Sequence, residues 1–219
     1  MTLTQQLQSL IDAECAKPNT HAVILRVQSG DGQVDFKGSA GEATPDTRFP
    51  IASIAKSFTA TLIMQLVDEG HIDLDQTVQG ILAHIDLSGL HIVKGVDYST
   101  DLTVRQLLHQ TSGLADYYES DLAHALKLGR DRSYDLNDVL QMTRALPPQA
   151  APGSKRSYYS DTNFQLLGAV IEASTGLTYT QALHNRICGP LALKDTGVLQ
   201  GTDVGLPVYH NERRLDVPQ

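Results

Sequence analysis

Two short strands near the start of the chain are followed by a long stretch in which nearly every apolar pattern is helical, and this imbalance limits the available folds. Residues 21–27 (HAVILRV) are apolar and β-branched. Ser29-Gly30-Asp31-Gly32 has turn chemistry and residues 33–37 alternate, which predicts a β-hairpin. A lone hairpin is marginal in water unless further strands or a packed face support it. Ahead of it, Leu3, Leu7, Leu10 and Ile11 recur at helical spacing and predict an amphipathic helix ended by Pro18. Beyond it, Ala55, Phe58, Leu62, Ile63 and Leu66 predict a helix closed by Gly70, and Val104, Leu107 and Leu108 another stopped by Gly113. Residues 139–146, 164–173 and 180–187 predict three more. Residues 195–219 read as loop with at most one strand, so the hairpin finds no clear strand partner downstream.

No linker, internal repeat or low-complexity segment divides the chain. The expected organisation is an N-terminal helix and hairpin over residues 1–52, a mainly helical region over 53–194, and a loop or strand segment over 195–219. With 25 acidic against 17 basic residues, the net charge of −8 argues against a nucleic-acid surface. No apolar run of about 18 residues occurs, so no membrane span is expected. The start lacks the basic and apolar regions of a secretory signal. The expectation is a cytoplasmic protein, or a periplasmic or secreted one whose leader precedes this numbering. Cys15 and Cys188 are expected to be buried free thiols.

The candidate chemistry begins at Ser53-Ile54-Ala55-Lys56. Residues i and i+3 of a helix share a face, so the Ser53 hydroxyl and Lys56 amine can approach each other. A neutral amine can take the serine proton, and burial with the helix dipole would push the lysine toward neutrality. The motif alone is weak. Its plain reading makes Ser53 a helix N-cap and Lys56 a solvated lysine at N3, where a cation opposes the dipole. A second constellation, Tyr158-Tyr159-Ser160-Asp161-Thr162-Asn163, precedes an apolar helix. A phenol beside a lysine ammonium can relay a proton, whereas the plain reading makes Asp161 or Thr162 an N-cap. Neither a Gly-x-Ser-x-Gly elbow nor a His-Glu-x-x-His or Cys-x-x-Cys metal motif is present, and no metal or organic cofactor is expected.

Taken together, Ser53-Ile54-Ala55-Lys56 and Tyr159-Ser160-Asp161 resemble the serine β-lactamase-related hydrolases, in the branch of class C β-lactamases, D-alanyl-D-alanine carboxypeptidases and related esterases. Residues 102–114 (LTVRQLLHQTSGL), 164–168 (FQLLG) and 189–197 are similar to the same family. The resemblance implies an α/β (α+β) fold, with an antiparallel sheet flanked by helices and a helical region. It implies that Ser53 is acylated, that Lys56 assists its deprotonation, that Tyr159 is general base or relay, and that the Ser53 N–H serves the oxyanion. The implied activity is hydrolysis of an ester or amide as a carboxylesterase, D-amino-acid peptidase or β-lactamase. The alternative is a penicillin-recognising sensor without turnover.

Two departures from the family pattern stand out. Asp161 occupies the substrate-contacting position where the branch has Asn; a carboxylate accepts but cannot donate to a substrate carbonyl, and its charge favours a protonated Lys56. Simple esters then fit better than amide-rich ligands. Asn163 is not expected to replace the missing amide. The Lys-Thr-Gly or His-x-Gly motif of a late strand is also absent, since His210-Asn211-Glu212 lacks the glycine, and His210 reads as a loop histidine. The expectation is therefore a chain lacking the family's C-terminal strands, with an exposed sheet edge or a second chain that supplies them.

Overall fold

The structure, a computed structural model, describes residues 1–120, 122, 124, 125, 128, 132–198, 208–210 and 213–215, the last six by their backbone. The chain forms two compact units, Ala52–Leu199 and Met1–Ile51 with the described part of Gln200–Gln219.

In the unit that contains the N-terminus, helix α1 (Leu3–Cys15) starts at a capping box: Thr2 accepts from the Gln5 N–H, and the Gln5 side chain accepts from the Thr2 N–H. Strand β1 (Ala22–Gln28) pairs antiparallel with β2 (Asp35–Gly41), from Ala22 opposite Gly41 to Gln28 opposite Asp35. The second strand starts later and runs further than the alternation of residues 33–37 predicts. Ile11 of α1 and Phe36 of β2 are both buried. Gly38 sits where a Cβ would run into Phe36 and Ile11, so a bare backbone lets the helix lie close. The support that the hairpin needs thus comes from α1, and among the described residues its sheet has two strands.

Strands β5 (Val208–His210) and β6 (Arg213–Leu215) form their own antiparallel pair, with His210 opposite Arg213. His210 is therefore a strand residue, not a loop histidine, and among the described residues the tail holds two strands rather than one. Valine and tyrosine beside it suit a pleated surface. Asn211, Glu212 and most of 195–219 beyond residue 198 lie outside the described residues.

The unit Ala52–Leu199 is helical. A 3₁₀ turn (Ala52–Ile54) leads into α2 (Ala55–Asp68). Then come α3 (Val78–Ile81), the hairpin β3 (Ile92–Val93) and β4 (Val96–Asp97), and α4 (Val104–Leu108). Helices α5 (Leu136–Arg144), α6 (Asp161–Thr175) and α7 (Tyr179–Leu183) follow. The helix expected over residues 180–187 ends early and continues as a π-helical turn, His184–Cys188. Leu62, Ile63 and Leu66 of α2 and Leu166, Leu167, Val170 and Ile171 of α6 are buried in one core with Leu107 and Leu140. Burying each such side chain stabilises the fold by roughly 1.5–3 kcal/mol. This packing brings the N-terminal ends of α2 and α6 together.

Among the described residues no helix is long and apolar enough to cross a membrane. Cys188 is buried as expected, but Cys15 is only half-buried; both are free thiols.

Candidate active site

The Ser-x-x-Lys segment does not open a capped helix. The N-cap position of α2 is Ile54, with no side-chain cap, and Ser53 lies in the preceding 3₁₀ turn. The reading of Ser53 as N-cap is thereby corrected, and Lys56 is the second helical residue, not the third. The residue before the serine, Ala52, has φ +45°, an uncommon conformation for a side chain with a Cβ. Such strain concentrates where the surrounding structure holds a reactive group in place.

The Ser53 hydroxyl is turned to other partners. Its Oγ shares a 2.7 Å hydrogen bond with Tyr159 Oη and accepts one of 3.3 Å from Lys56 Nζ. Lys56 Nζ also lies 2.5 Å from Asp161 Oδ1 and 5.0 Å from the Tyr159 ring centroid. The contact with Asp161 is a close ion pair between two partly buried side chains. All four residues marked by the sequence meet here. Two opposite expectations met at Lys56, and the structure separates them. Burial pulls the amine toward neutrality, but the Asp161 carboxylate and Tyr159 outweigh it, so Lys56 is held above the ordinary lysine value and stays an ammonium.

Asp161 is the first residue of α6, where a negative charge faces the positive end of the helix dipole. The N-cap position is Ser160, not Asp161 or Thr162, and it caps nothing with its side chain. Its Oγ instead donates to the Ala115 carbonyl, as does Thr162 Oγ1.

The segment carrying Tyr159 is clamped by Gln110, which adopts φ +58°. The Gln110 carbonyl accepts from the Tyr158 N–H at 2.7 Å, and its Oε1 accepts from the Ser160 N–H at 3.0 Å and from the Asn163 amide. Ser112 Oγ donates to Asn163 Oδ1 at 2.6 Å. Asn163 is thus buried and turned away from Ser53, as expected. Gln149 Nε2 donates to the Tyr159 carbonyl from the other side. Asp116 Oδ1 accepts from the Asp161 N–H, and burial pushes this carboxyl above its ordinary value.

Ser53, Lys56 and Asp161 border a cleft of about 630 Å³, also lined by Tyr117, Phe164 and Glu172 among others. A second cavity of about 520 Å³, beside His84 and Arg144, contains none of them.

A family model described as Beta-lactamase matches residues 22–213. The chain belongs to the beta-lactamase family. This family chain is 30% identical over 200 residues to protein flp of Staphylococcus aureus, an alignment covering 88% of the chain and 38% of flp. It is 31% identical over 163 residues to penicillin-binding protein 4 of Amycolatopsis lactamdurans, covering 74% of the chain and 39% of that protein. Among solved structures it resembles a D-stereospecific amidohydrolase from Streptomyces sp., with a TM-score of 0.75 and 33% identity over 88% of the chain and 56% of that protein. The chain therefore spans well under two thirds of these relatives. The fold is that of the β-lactamases and penicillin-binding proteins, and these relationships support a hydrolase-type function at a general level.

Reading the sequence of this beta-lactamase-family chain missed Ala52, Gln110, Asp116 and Thr162 as shapers of the site. The signal for Gln110 was present in residues 102–114, which were singled out by resemblance without a physical role. The clamp on the Tyr159 segment supplies that role.

Proposed function

We propose that the chain carries the nucleophile centre of a serine hydrolase that cleaves an ester or amide by two-step acyl transfer. The single observation behind this reading is the 2.7 Å contact between Ser53 Oγ and Tyr159 Oη, with Lys56 Nζ 3.3 Å from the same serine oxygen. Tyr159 is the closer partner, and Lys56 is held as an ammonium. Tyr159 is therefore the general base or relay that takes the Ser53 proton, and the Lys56 ammonium lies beside both oxygens to meet the negative charge that develops as the proton moves. Ser53 Oγ bonds to the carbonyl carbon, and the developing oxyanion is met by the Ser53 N–H at the start of the α2 segment. Collapse expels the alcohol or amine, which takes the proton from Tyr159. Water then repeats the sequence on the acyl-Ser53 ester, and no metal is required. Among esters, D-amino-acid peptides or amides, and β-lactams, the amidohydrolase similarity favours amides, and Asp161 disfavours ligands that need an amide donor there.

A sensor that is acylated without turnover is the second reading. It is favoured by the Lys56–Asp161 contact, which keeps the amine from acting as a neutral base. A p-nitrophenyl ester and a fluorescent penicillin test both readings, with intact mass recorded to follow Ser53 and to detect any second polypeptide. Ester turnover abolished in Ser53→Ala supports the hydrolase, and stable acylation without turnover supports the sensor. An intact, folded chain that neither probe labels at Ser53 would overturn both.

A further inference from the structure

The carboxylate of Asp161 is a poor choice for a site meant to donate to a substrate carbonyl, and it restrains the lysine beside the nucleophile. Both costs are explained if the carboxylate has a second cationic partner. Asp161 Oδ1 sits 2.5 Å from Lys56 Nζ, which is itself 3.3 Å from Ser53 Oγ, so one lysine ammonium spans the gap between nucleophile and carboxylate. The Asp161 side chain keeps 26% of its surface exposed and lines the same cleft as Ser53. An α-amino acid ester or amide carries its ammonium two bonds from the carbonyl carbon, so a substrate whose carbonyl meets Ser53 brings that ammonium into the same cleft as the Asp161 carboxylate. Resting on the acyl-transfer reading of Ser53, we propose that Asp161 selects substrates with a free, protonated amine on the carbon next to the scissile carbonyl. An N-acylated substrate would instead turn a carbonyl acceptor toward a carboxylate that can only accept.

The charges around the pair agree in sign. Asp116 lies behind Asp161, accepting its backbone N–H, and Glu172 lines the cleft. Among the described residues that line the cleft, Lys56 is the one cation, against the carboxylates Asp161 and Glu172. An ammonium arriving at Asp161 also leaves more of the Lys56 charge to Tyr159 and Ser53, which is where the proton must move. Binding the amine and readying the nucleophile are then coupled through one lysine.

The test compares acylation of Ser53, followed by intact mass, by phenylalanine p-nitrophenyl ester and its N-acetyl derivative, each rate divided by that ester's uncatalysed hydrolysis. Both hands of the amino acid are used. The wild-type chain is expected to favour the free amine by about 10- to 100-fold, the scale of one charge-assisted hydrogen bond. Asp161→Asn should bring the ratio to about one or invert it, and Asp161→Glu should keep it above one. A wild-type preference for the acetylated ester, or a ratio unchanged in Asp161→Asn, would overturn the proposal. Failure of every ester to acylate Ser53 would instead remove the hydrolase reading. Calorimetry of phenylalaninamide and N-acetyl-phenylalaninamide on folded Ser53→Ala then decides on the amine, and equal affinity for the two would refute it.

Discussion

Ser53 and Tyr159 stand 106 residues apart in sequence, and their hydroxyl oxygens are 2.7 Å apart in the fold. Nothing local joins them. The contact depends on α2 packing against α6, and on the Gln110 clamp that fixes the segment before α6.

Tyr159→Phe separates the hydroxyl from the ring. The ring 5.0 Å from Lys56 Nζ remains, so stability should change by less than about 1 kcal/mol. Acylation of Ser53 should fall by about 10²- to 10⁴-fold, the range for a lost general base. Denaturant titration and time-resolved intact mass measure the two quantities side by side. A variant acylated at the wild-type rate would remove Tyr159 from the proton path.

Lys56→Ala should also remove most acylation. Its folding cost should be small, about 1 kcal/mol, because the Lys56–Asp161 pair is partly exposed and water takes over part of the lost interaction. Lys56→Ala combined with Asp161→Asn should melt higher than Lys56→Ala alone, since it no longer leaves a carboxylate without its cation. Thermal melts of the two variants settle the ranking.

Much of this was legible along the chain because it is local. The helices announced themselves by the spacing of Leu62, Ile63 and Leu66 or of Leu166, Leu167 and Val170. The candidate site was legible as residue types at recognisable spacings. What escaped was long-range. Ser160 does not cap α6 with its side chain because its hydroxyl belongs to Ala115, 45 residues earlier. Ala52 takes φ +45° although alanine gives no sign of it. The strands at Val208–His210 and Arg213–Leu215 are three residues each, too short for alternation to reveal them.

Gln110→Ala removes the acceptor shared by the Ser160 N–H and the Asn163 amide. Two polar groups then lose a partner, at a cost of about 2–4 kcal/mol in total. Gln110→Glu keeps both acceptor contacts, so acylation should survive better in it than in Gln110→Ala. Equal acylation rates in Gln110→Ala and the wild type would show that the clamp does not position Tyr159.

Gly113→Ala should destabilise by more than about 2 kcal/mol. Gly113 has φ +76°, and a Cβ there would strike the Ala150 carbonyl oxygen. The Gly113 carbonyl accepts from the Gln149 N–H at 2.8 Å, so the two segments cannot part without losing that bond. A urea midpoint matching the wild type would contradict the close approach.

His91 gives the unit Ala52–Leu199 an acid-sensitive point. The ring is fully buried and its nitrogens have no aligned partner, so burial pushes its pKa below the ordinary 6.5, a shift that the Ala150 and Ser112 backbone only partly offsets. In the unfolded chain the imidazole titrates near its ordinary value, so below pH 6.5 the unfolded state binds the extra proton more readily. The contribution of the neutral ring is therefore complete above pH 6.5 and declines as the pH falls toward the folded-state value. Melting temperatures of the wild type between pH 7.5 and pH 5 should fall more steeply than those of His91→Gln, which has no such titration. Parallel pH dependence in the two proteins would mean that the buried imidazole is not the group responsible.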